Sequence, residues 1–151
     1  MPSPVTGSGT PNNTLTIYDP GDCLGGLQSF ANFAVAGGLF RLTGYQLQDK
    51  ISARPNGALL FFDANPTSST FTDNAAYILH DADRAKLFHV EPIGAGDWVD
   101  LVVGAFAESK RLIDKTAFLP DGTLRVAFIF AERCLFASGT DNFHLRVDGE
   151  T

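Results

Sequence analysis

Large apolar residues at every second position in the last third of the chain constrain its fold more tightly than any other feature. Every second residue of the run 124–130 is large and apolar, and the run 143–147 repeats this spacing. Successive side chains of a β-strand point to opposite faces, so a period of two predicts a strand with one face in a core. The side chains expected to face the core are Leu124, Val126, Phe128, Phe130, Phe143, Leu145 and Val147.

Turn signals separate further short apolar runs along the chain. Asp19-Pro20-Gly21-Asp22 and Pro120-Asp121-Gly122-Thr123 have the composition of β-turns, and residues 54–57 predict a hairpin-like turn. Another turn is expected at residues 139–142, and Pro92 is expected to end a strand because proline cannot donate to a sheet ladder. The expected strands are 14–18, 27–35, 40–50, 58–62, 87–90, 112–118, 124–130 and 143–147, and residues 99–106 form an apolar run that glycine interrupts.

These short strands predict an all-β fold, an antiparallel β-sandwich that is jelly-roll-like. The length of 151 residues suits one domain, and 13 Phe, 15 Gly and 8 Pro favour strands and turns over helices. One short helix is expected between Asp73 and Lys86. Residues 1–13 contain three Pro and no aromatic residue, so we expect a flexible N-terminal arm before a single domain at 14–151.

Charge and hydropathy exclude several classes of partner. The net charge of −6 argues against a face that binds nucleic acid. No run approaches the apolar length of a membrane span, and the N-terminus lacks the basic and apolar segments of a signal peptide, so the cytoplasm is the expected place of synthesis. Cys23 and Cys134 are expected to be buried free thiols, and pairing in an oxidising compartment is the alternative.

Four acids, Asp63, Asp73, Asp81 and Asp83, lie close together in the sequence. Counting from Asp73 or Asp81, the spacing does not supply the Gly and Glu that an EF-hand loop needs at its sixth and twelfth positions. Capping of turns and solvation explain these carboxylates better than metal binding does. No metal site is therefore expected.

The three histidines, His80, His89 and His144, form no zinc motif with one another or with cysteine. His80 lies beside Asp81, which would tune a general base, but the sequence has no nucleophile motif for such a base to serve. The glycine fingerprints of nucleotide sites are also missing. The sequence predicts no enzymatic activity and no cofactor, and it predicts that His144 faces solvent.

A long polar excursion follows the strand that ends near Asn65-Pro66. Residues 63–80 are rich in Asp, Ser and Thr but carry no catalytic pattern, which indicates a surface used for contact. We interpret the nearby rings of Phe71, Tyr77 and Trp98 as ordinary packing. The alternative is an aromatic patch that stacks on sugars.

Several short motifs follow one another between residues 14 and 147. In chain order they are Asp19-Pro20-Gly21-Asp22, Leu24-Gly25-Gly26, Phe62-Asp63-Ala64-Asn65-Pro66, a link rich in Ser and Thr, Asp73-Asn74-Ala75-Ala76, Asp81-Ala82-Asp83 and Asp97-Trp98. This layout resembles that of small head proteins of tailed bacteriophages, the capsid decoration or cement proteins.

The resemblance implies a virion structural protein, a β-sandwich on the outside of the mature capsid, usually as a trimer at local three-fold positions. It implies the lattice of the major capsid protein and further copies of the chain as partners, and it supplies no catalytic residue. The alternative function is a carbohydrate-binding or receptor-binding sandwich. The residues expected to contact partners are Pro2, Pro4, Val5 and Pro11 in the arm, and Asn65, Pro66, Phe71 and Tyr77 in the excursion.

Overall fold

The computed structural model describes residues 1–102, 106–136 and 142–151, and within them most of the chain is β-strand. Two short 3-10 helices, Asp81–Lys86 and Ala95–Asp97, complete the regular structure of this part of the chain. The strands are β1 (Pro4–Gly9), β2 (Ile17–Tyr18), β3 (Cys23–Phe30), β4 (Gly38–Asp49), β5 (Gly57–Phe62), β6 (Leu87–Ile93), β7 (Trp98–Val102), β8 (Phe106–Leu119), β9 (Leu124–Phe130), β10 (Cys134–Leu135) and β11 (Phe143–Glu150).

The strand pairing is that of a jelly roll. β1 pairs with β11, β2 with β10, β3 with β9, β4 with β8 and β5 with β6, all antiparallel. The first half of the chain therefore pairs with the second half in reverse order, like one long hairpin that has been rolled up. Nine of the described strands form a sheet ordered β1-β11-β4-β8-β7 that packs against a sheet ordered β3-β9-β5-β6, and β2 and β10 form a separate two-stranded sheet. The predicted jelly-roll-like sandwich is confirmed.

The core lies between these two sheets and is largely aromatic. All seven side chains predicted to face inward, from β9 and β11, are buried in it, so the strand register read from the sequence is confirmed. The Tyr18 and Phe130 rings lie 4.5 Å apart and the Phe136 and Phe143 rings lie 5.2 Å apart, the latter edge to face. Aromatic rings pack favourably in this geometry.

The N-terminal segment is not the flexible arm that its composition predicted. Residues 4–9 form β1, which pairs with β11 from Pro4 opposite Glu150 to Gly9 opposite Leu145. A Cβ added to Gly7 would lie 2.5 Å from the Phe33 ring, so a residue without a side chain lets the strand lie directly on that ring. The prediction of a flexible arm is wrong because it rests on the composition of residues 1–13 alone, without the strand with which they pair. The edge of β11 supplies hydrogen-bond partners from the other end of the chain.

The helix expected between Asp73 and Lys86 begins later, at Asp81, and is a 3-10 helix. The backbone of residues 74–77 is bonded elsewhere. Asn74 N–H donates to Cys23 O at 2.9 Å, and Tyr77 N–H donates to Gly21 O at 2.9 Å. These groups are therefore not available for a helix, and Asn74 has a positive φ of 52°. Tertiary pairing thus overrides the local helical pattern.

Several predicted boundaries also shift. Residues 54–57 do not form a hairpin turn, because they lead from β4 in one sheet to β5 in the other. β6 continues through Pro92 to Ile93, which an edge strand tolerates. The turn at 19–22 is confirmed by a 3.0 Å bond from Asp22 N–H to Asp19 O, and Gly122 N–H closes the later turn on Leu119 O at 3.1 Å.

Other strand ends differ by a few residues. The first two predicted strands correspond to β2 and β3, which are Ile17–Tyr18 and Cys23–Phe30. The strand predicted at 112–118 begins earlier, at Phe106. Residues 103–105 of the apolar run 99–106, and residues 139–141 of the predicted turn, lie outside the described residues.

Candidate functional site

The polar excursion lies across the outer face of the β3-β9-β5-β6 sheet. Its Phe71 ring packs on Phe62 of β5 at 5.4 Å, edge to face. Tyr77 and Leu79 pack against the same apolar cluster, which also contains Cys23, Leu60, Phe62, Ala127 and Ile129. Although polar in composition, the excursion therefore covers an apolar sheet face with its few large side chains.

Asp73 pins the middle of the excursion to the sandwich. Its Oδ1 accepts hydrogen bonds from the Tyr18 hydroxyl at 2.8 Å and from Gly25 N–H at 2.6 Å. Burial, with the Asp73 carboxylate adding to it, raises the pKa of Tyr18 to about 12. The phenol therefore keeps its proton at neutral pH and remains a donor to Asp73.

Asp83, in the 3-10 helix that follows the excursion, holds residues near the start of the excursion and is fully buried. Its carboxylate accepts hydrogen bonds from Ser68 N–H at 2.8 Å, Ser69 Oγ at 2.7 Å and Lys86 Nζ at 2.6 Å. Burial alone would raise the pKa of Asp83, but these bonds and the Lys86 charge outweigh it and lower the pKa to about 2. The carboxylate stays ionised and orders residues 68–69.

The other two acids of this region, Asp81 and Asp63, lie in different surroundings. Asp81 forms an ion pair with Arg84, 3.0 Å away. Asp63 is partly buried, and this burial raises the pKa of its carboxyl group. Across the described residues, no group of three or more His, Cys, Asp or Glu side chains is placed to hold a metal ion. The close spacing of these acids in the sequence therefore does not become a cluster in space.

The structure separates the residues predicted to contact partners by their burial. Three are exposed, three are partly buried and two are buried within the chain. The exposed residues are Pro2, Pro4 and Asn65, the partly buried ones are Val5, Phe71 and Tyr77, and the buried ones are Pro11 and Pro66.

Gly25 and Gly26 lie between the N-terminal segment and the excursion. Both have positive φ, at the irregularity in the pairing of β3 with β9. A Cβ on Gly25 would lie 2.8 Å from Pro11 Cα, and one on Gly26 would lie 3.2 Å from Phe71 O. The structure therefore brings Pro11 and Phe71, from the two segments predicted to make contacts, to the same pair of glycines.

The predicted aromatic residues do not form one exposed patch. Trp98 is buried, 6% exposed, and its Nε1–H donates to Pro55 O at 3.2 Å. The Phe71 and Tyr77 rings stack on each other with centroids 6.3 Å apart. Trp98 therefore has no face free for a sugar, which removes it from the carbohydrate-binding alternative and supports the interpretation as packing.

A charged network that the sequence did not reveal joins the two sheets at one side. Glu91 of β6 lies 3.0 Å from His89 Nε2 and accepts a 3.0 Å bond from Arg111 Nη1 of β8. Arg111 also pairs with Asp97, and the N–H of Gly94 together with Arg111 lowers the pKa of Asp97. The spacing of His89 and Glu91 indicates that they share a strand face, but nothing local identifies Arg111 as their partner.

His80, His144 and the two cysteines are the remaining candidates. His80 Nδ1 accepts from Ala82 N–H at 3.2 Å and caps the 3-10 helix, and His144 is partly buried. Both thiols are free, Cys23 buried and Cys134 partly buried. Burial raises their pKa to about 12 and about 11 respectively, so both are protonated and unreactive at neutral pH. In the described part of the chain, no helix is both long enough and apolar enough to span a membrane.

Comparisons with known proteins do not show a family. No protein-family model and no curated protein matches the chain. Among solved structures, the K3 cleaved adhesin domain of Lys-gingipain from Porphyromonas gingivalis W83 is 17% identical. That match covers 83% of this chain and 62% of that chain at a TM-score of 0.34.

Two further solved structures are similar at the same low level. The K1 cleaved adhesin domain of the same Lys-gingipain is 13% identical, with 99% of this chain and 98% of that one covered at a TM-score of 0.38. A marine algae virus of the order Picornavirales is 11% identical, with 93% and 62% covered at a TM-score of 0.24. TM-scores this low carry no argument about the function of this chain.

Proposed function

We propose that the chain is a virion structural protein that binds the outside of an assembled tailed-bacteriophage capsid and stabilises it. The proposal rests on the jelly-roll arrangement of the strands from β1 through β11, because viral capsid and lectin domains use this fold. A fold by itself is only an analogy. Among the roles that this fold serves, the order of short motifs favours capsid decoration, because it resembles that of capsid decoration proteins.

The pinned excursion supports a role in contact. Asp73 ties the excursion to Tyr18 and Gly25 of the sandwich, and Asp83 ties residues 68–69 to the 3-10 helix, through hydrogen bonds of 2.6 to 2.8 Å. A surface loop that is already ordered loses little conformational entropy when it binds a partner. The contact surface in this proposal contains Pro2, Pro4 and Asn65, which are exposed.

We propose that the chain stabilises the capsid by binding the assembled lattice in preference to free capsid subunits. A ligand that binds the capsid lattice but not its dissociated subunits shifts the equilibrium toward the lattice. We propose that the chain acts as a trimer at local three-fold positions. Each trimer then makes three modest contacts with the capsid, which together hold it tightly.

The deciding experiment mixes the purified chain with expanded heads built from the major capsid protein of the same genome and lacking decoration. Saturable cosedimentation, together with trimer formation in solution and a higher temperature of head disruption, is the expected result. A chain that stays monomeric and remains in the supernatant at micromolar concentration overturns the proposal.

A second experiment tests the surface itself. Pro4→Arg and Asn65→Arg place a bulky charge on the proposed contact, and each should weaken capsid retention by at least tenfold, about 1.4 kcal/mol. Leu112→Arg is the matched control, because Leu112 is an exposed residue of β8, away from β1 in the sheet order. Equal retention by all three variants would show that capsid contact uses another surface.

A further inference from the structure

The outer edge of β11 and the rings of Phe30 and Phe33 form an acceptor groove that β1 occupies. In the described part of the chain, β1 pairs with β11 alone, at the margin of its sheet. The two rings lie beneath β1 with their centroids 6.1 Å apart, and both are buried. Because the β1 backbone lies directly on these rings, removal of β1 would expose them together with the β11 edge.

The shape of the acceptor groove selects a strand with glycine at two alternate positions. A Cβ on Gly7 would lie 2.5 Å from Phe33 and 2.9 Å from Phe30, and one on Gly9 would lie 3.4 Å from Phe30. The sequence has one other Gly-x-Gly, at 94–96, but Ala95–Asp97 is a 3-10 helix. Among the segments of this chain, β1 is therefore the strand that fits the groove.

β1 is held mainly by its backbone. Val5 is the one β1 side chain that packs against the core, and the Thr6 hydroxyl donates to Asp148 at 2.9 Å. Pro4, Thr6 and Ser8 are exposed. Elements with few buried apolar contacts open locally at a free energy below that of global unfolding. We therefore expect β1 to leave the sandwich while the core stays folded.

The chain that follows β1 is fixed independently of it. Pro11 is buried, and a Cβ on Gly25 would lie 2.8 Å from the Pro11 Cα. Asn13 Oδ1 accepts a hydrogen bond from Asn142 N–H at 3.2 Å. Because neither contact involves β1, the strand can swing out about residue 10 while the segment after it stays in place.

We propose that β1 is an exchangeable strand, and that the acceptor groove vacated in one copy binds β1 of a second copy of this chain. The incoming strand makes the same backbone pairs with β11 and the same glycine contacts with the rings, because the two segments are identical. Exchange therefore loses no contact. It is opposed by the effective concentration of the resident strand, which is about millimolar for a short connection.

The proposal goes beyond the capsid role and does not rest on it, so it is tested with the full chain alone, without heads. The probe is a fluorescent peptide of residues 1–10, and the acceptor is the Gly7→Val chain, whose own β1 no longer fits. Gly7→Val should weaken the resident strand by roughly tenfold or more. Half-saturation in fluorescence anisotropy should then fall from about 1 mM in the unmodified chain to about 0.1 mM.

Two altered peptides check the shape requirement. The Ser8→Val peptide, changed at an exposed position, should bind as the unmodified peptide does, and the Gly7→Val peptide should bind roughly tenfold more weakly or worse. Circular dichroism establishes that the acceptor is folded. If the Gly7→Val chain is not, Gly9→Val, with its looser 3.4 Å approach to Phe30, is the acceptor.

Three outcomes of the peptide experiment would overturn the proposal. The first is no binding to the folded acceptor at about 1 mM peptide, the effective concentration that the resident strand has. The second is equal affinity for the acceptor and the unmodified chain, because the peptide would then bind outside the groove. The third is equal binding of the Gly7→Val peptide, because the rings would then not select glycine.

Hydrogen exchange of the unmodified chain gives a check that needs no variant. Residues 4–9, and the β11 amides that donate to β1, should exchange roughly tenfold faster or more than the β11 amides that donate to β4, because β1 opens alone. Exchange of all these amides at the single rate of global unfolding would show that β1 does not leave a folded sandwich, and the proposal would be wrong.

Discussion

At the scale of single residues, Phe128 shows how β9 fills the core. The side chain is buried, and its ring meets Phe130 edge to face at 5.2 Å. A Cβ on Gly57 of β5 would lie 2.4 Å from the same ring, so Phe128 occupies space that only a glycine leaves open. If Phe128 were replaced by a smaller residue, Gly57 would have no side chain that could fill the space left by the ring.

Phe128→Ala should lower the free energy of unfolding by about 3–5 kcal/mol, because it removes apolar contact and leaves a cavity. Urea denaturation measures the loss. Phe118→Ala is the control, since Phe118 is half exposed on β8 and should cost less than about 1 kcal/mol by the usual range for surface positions. Similar losses for the two variants would contradict the core assignment.

The Asp83 carboxylate makes stability depend on pH. Its pKa in the folded chain is about 2, lowered from the usual 3.8. The stabilisation is therefore complete above about pH 4 and is lost as the pH falls toward 2. The melting temperature of the unmodified chain should fall over this window, and Asp83→Asn should show a lower melting temperature at neutral pH and a flatter profile below pH 4. Asp81→Asn, at an exposed carboxylate, is the control; the same flattening in it would contradict the assignment.

At the scale of elements, β1 depends on two glycines that face inward. A Cβ on Gly7 would lie 2.5 Å from Phe33, and one on Gly9 would lie 3.2 Å from the Gln28 side chain. Gly7→Val should therefore push β1 away from the sandwich and cost roughly 1–3 kcal/mol by overpacking. Hydrogen exchange of residues 4–9 and thermal melting measure the effect.

Ser8→Val is the matched control for Gly7→Val, because Ser8 is exposed on the same strand. Valine suits a strand, so this control should be neutral or slightly stabilising. Unchanged protection of residues 4–9 in Gly7→Val would contradict the packing of β1 on Phe33. Deletion of β1, which would be harmless for a flexible arm, is expected to expose Phe33 and destabilise the fold.

The strands that the sequence predicts well are those whose pattern is local. β9 and β11 each bury one face in the core, and a period of two reveals this from a few residues. β1 has only one apolar side chain, Val5, and its partners are about as far away in the chain as residues can be. The sequence predicts that the excursion is long and polar. The way it packs on the sandwich depends on hydrogen bonds from Tyr18 and Gly25 to Asp73, which no local pattern predicts.

At the scale of the whole molecule, the nested pairing predicts slow folding. β7 and β8 are neighbours in the sequence, but in the nested set β5 and β6 are the innermost pair, and each further pair outward, ending with β1 and β11, closes a longer loop. Ordering distant segments costs loop entropy before contacts repay it, so chains dominated by remote strand pairing fold in milliseconds to seconds.

Stopped-flow refolding followed by Trp98, the single tryptophan and a buried one, should show a phase in milliseconds to seconds or slower. Because β1 joins β11 across the longest separation, we expect it to dock after the rate-limiting step. Gly7→Val should then accelerate unfolding with little change in the refolding rate, whereas Phe128→Ala, in a strand between β3 and β5, should slow refolding. Refolding in microseconds, or slower refolding in Gly7→Val than in Phe128→Ala, would show that the chain does not fold from the inner strand pairs outward.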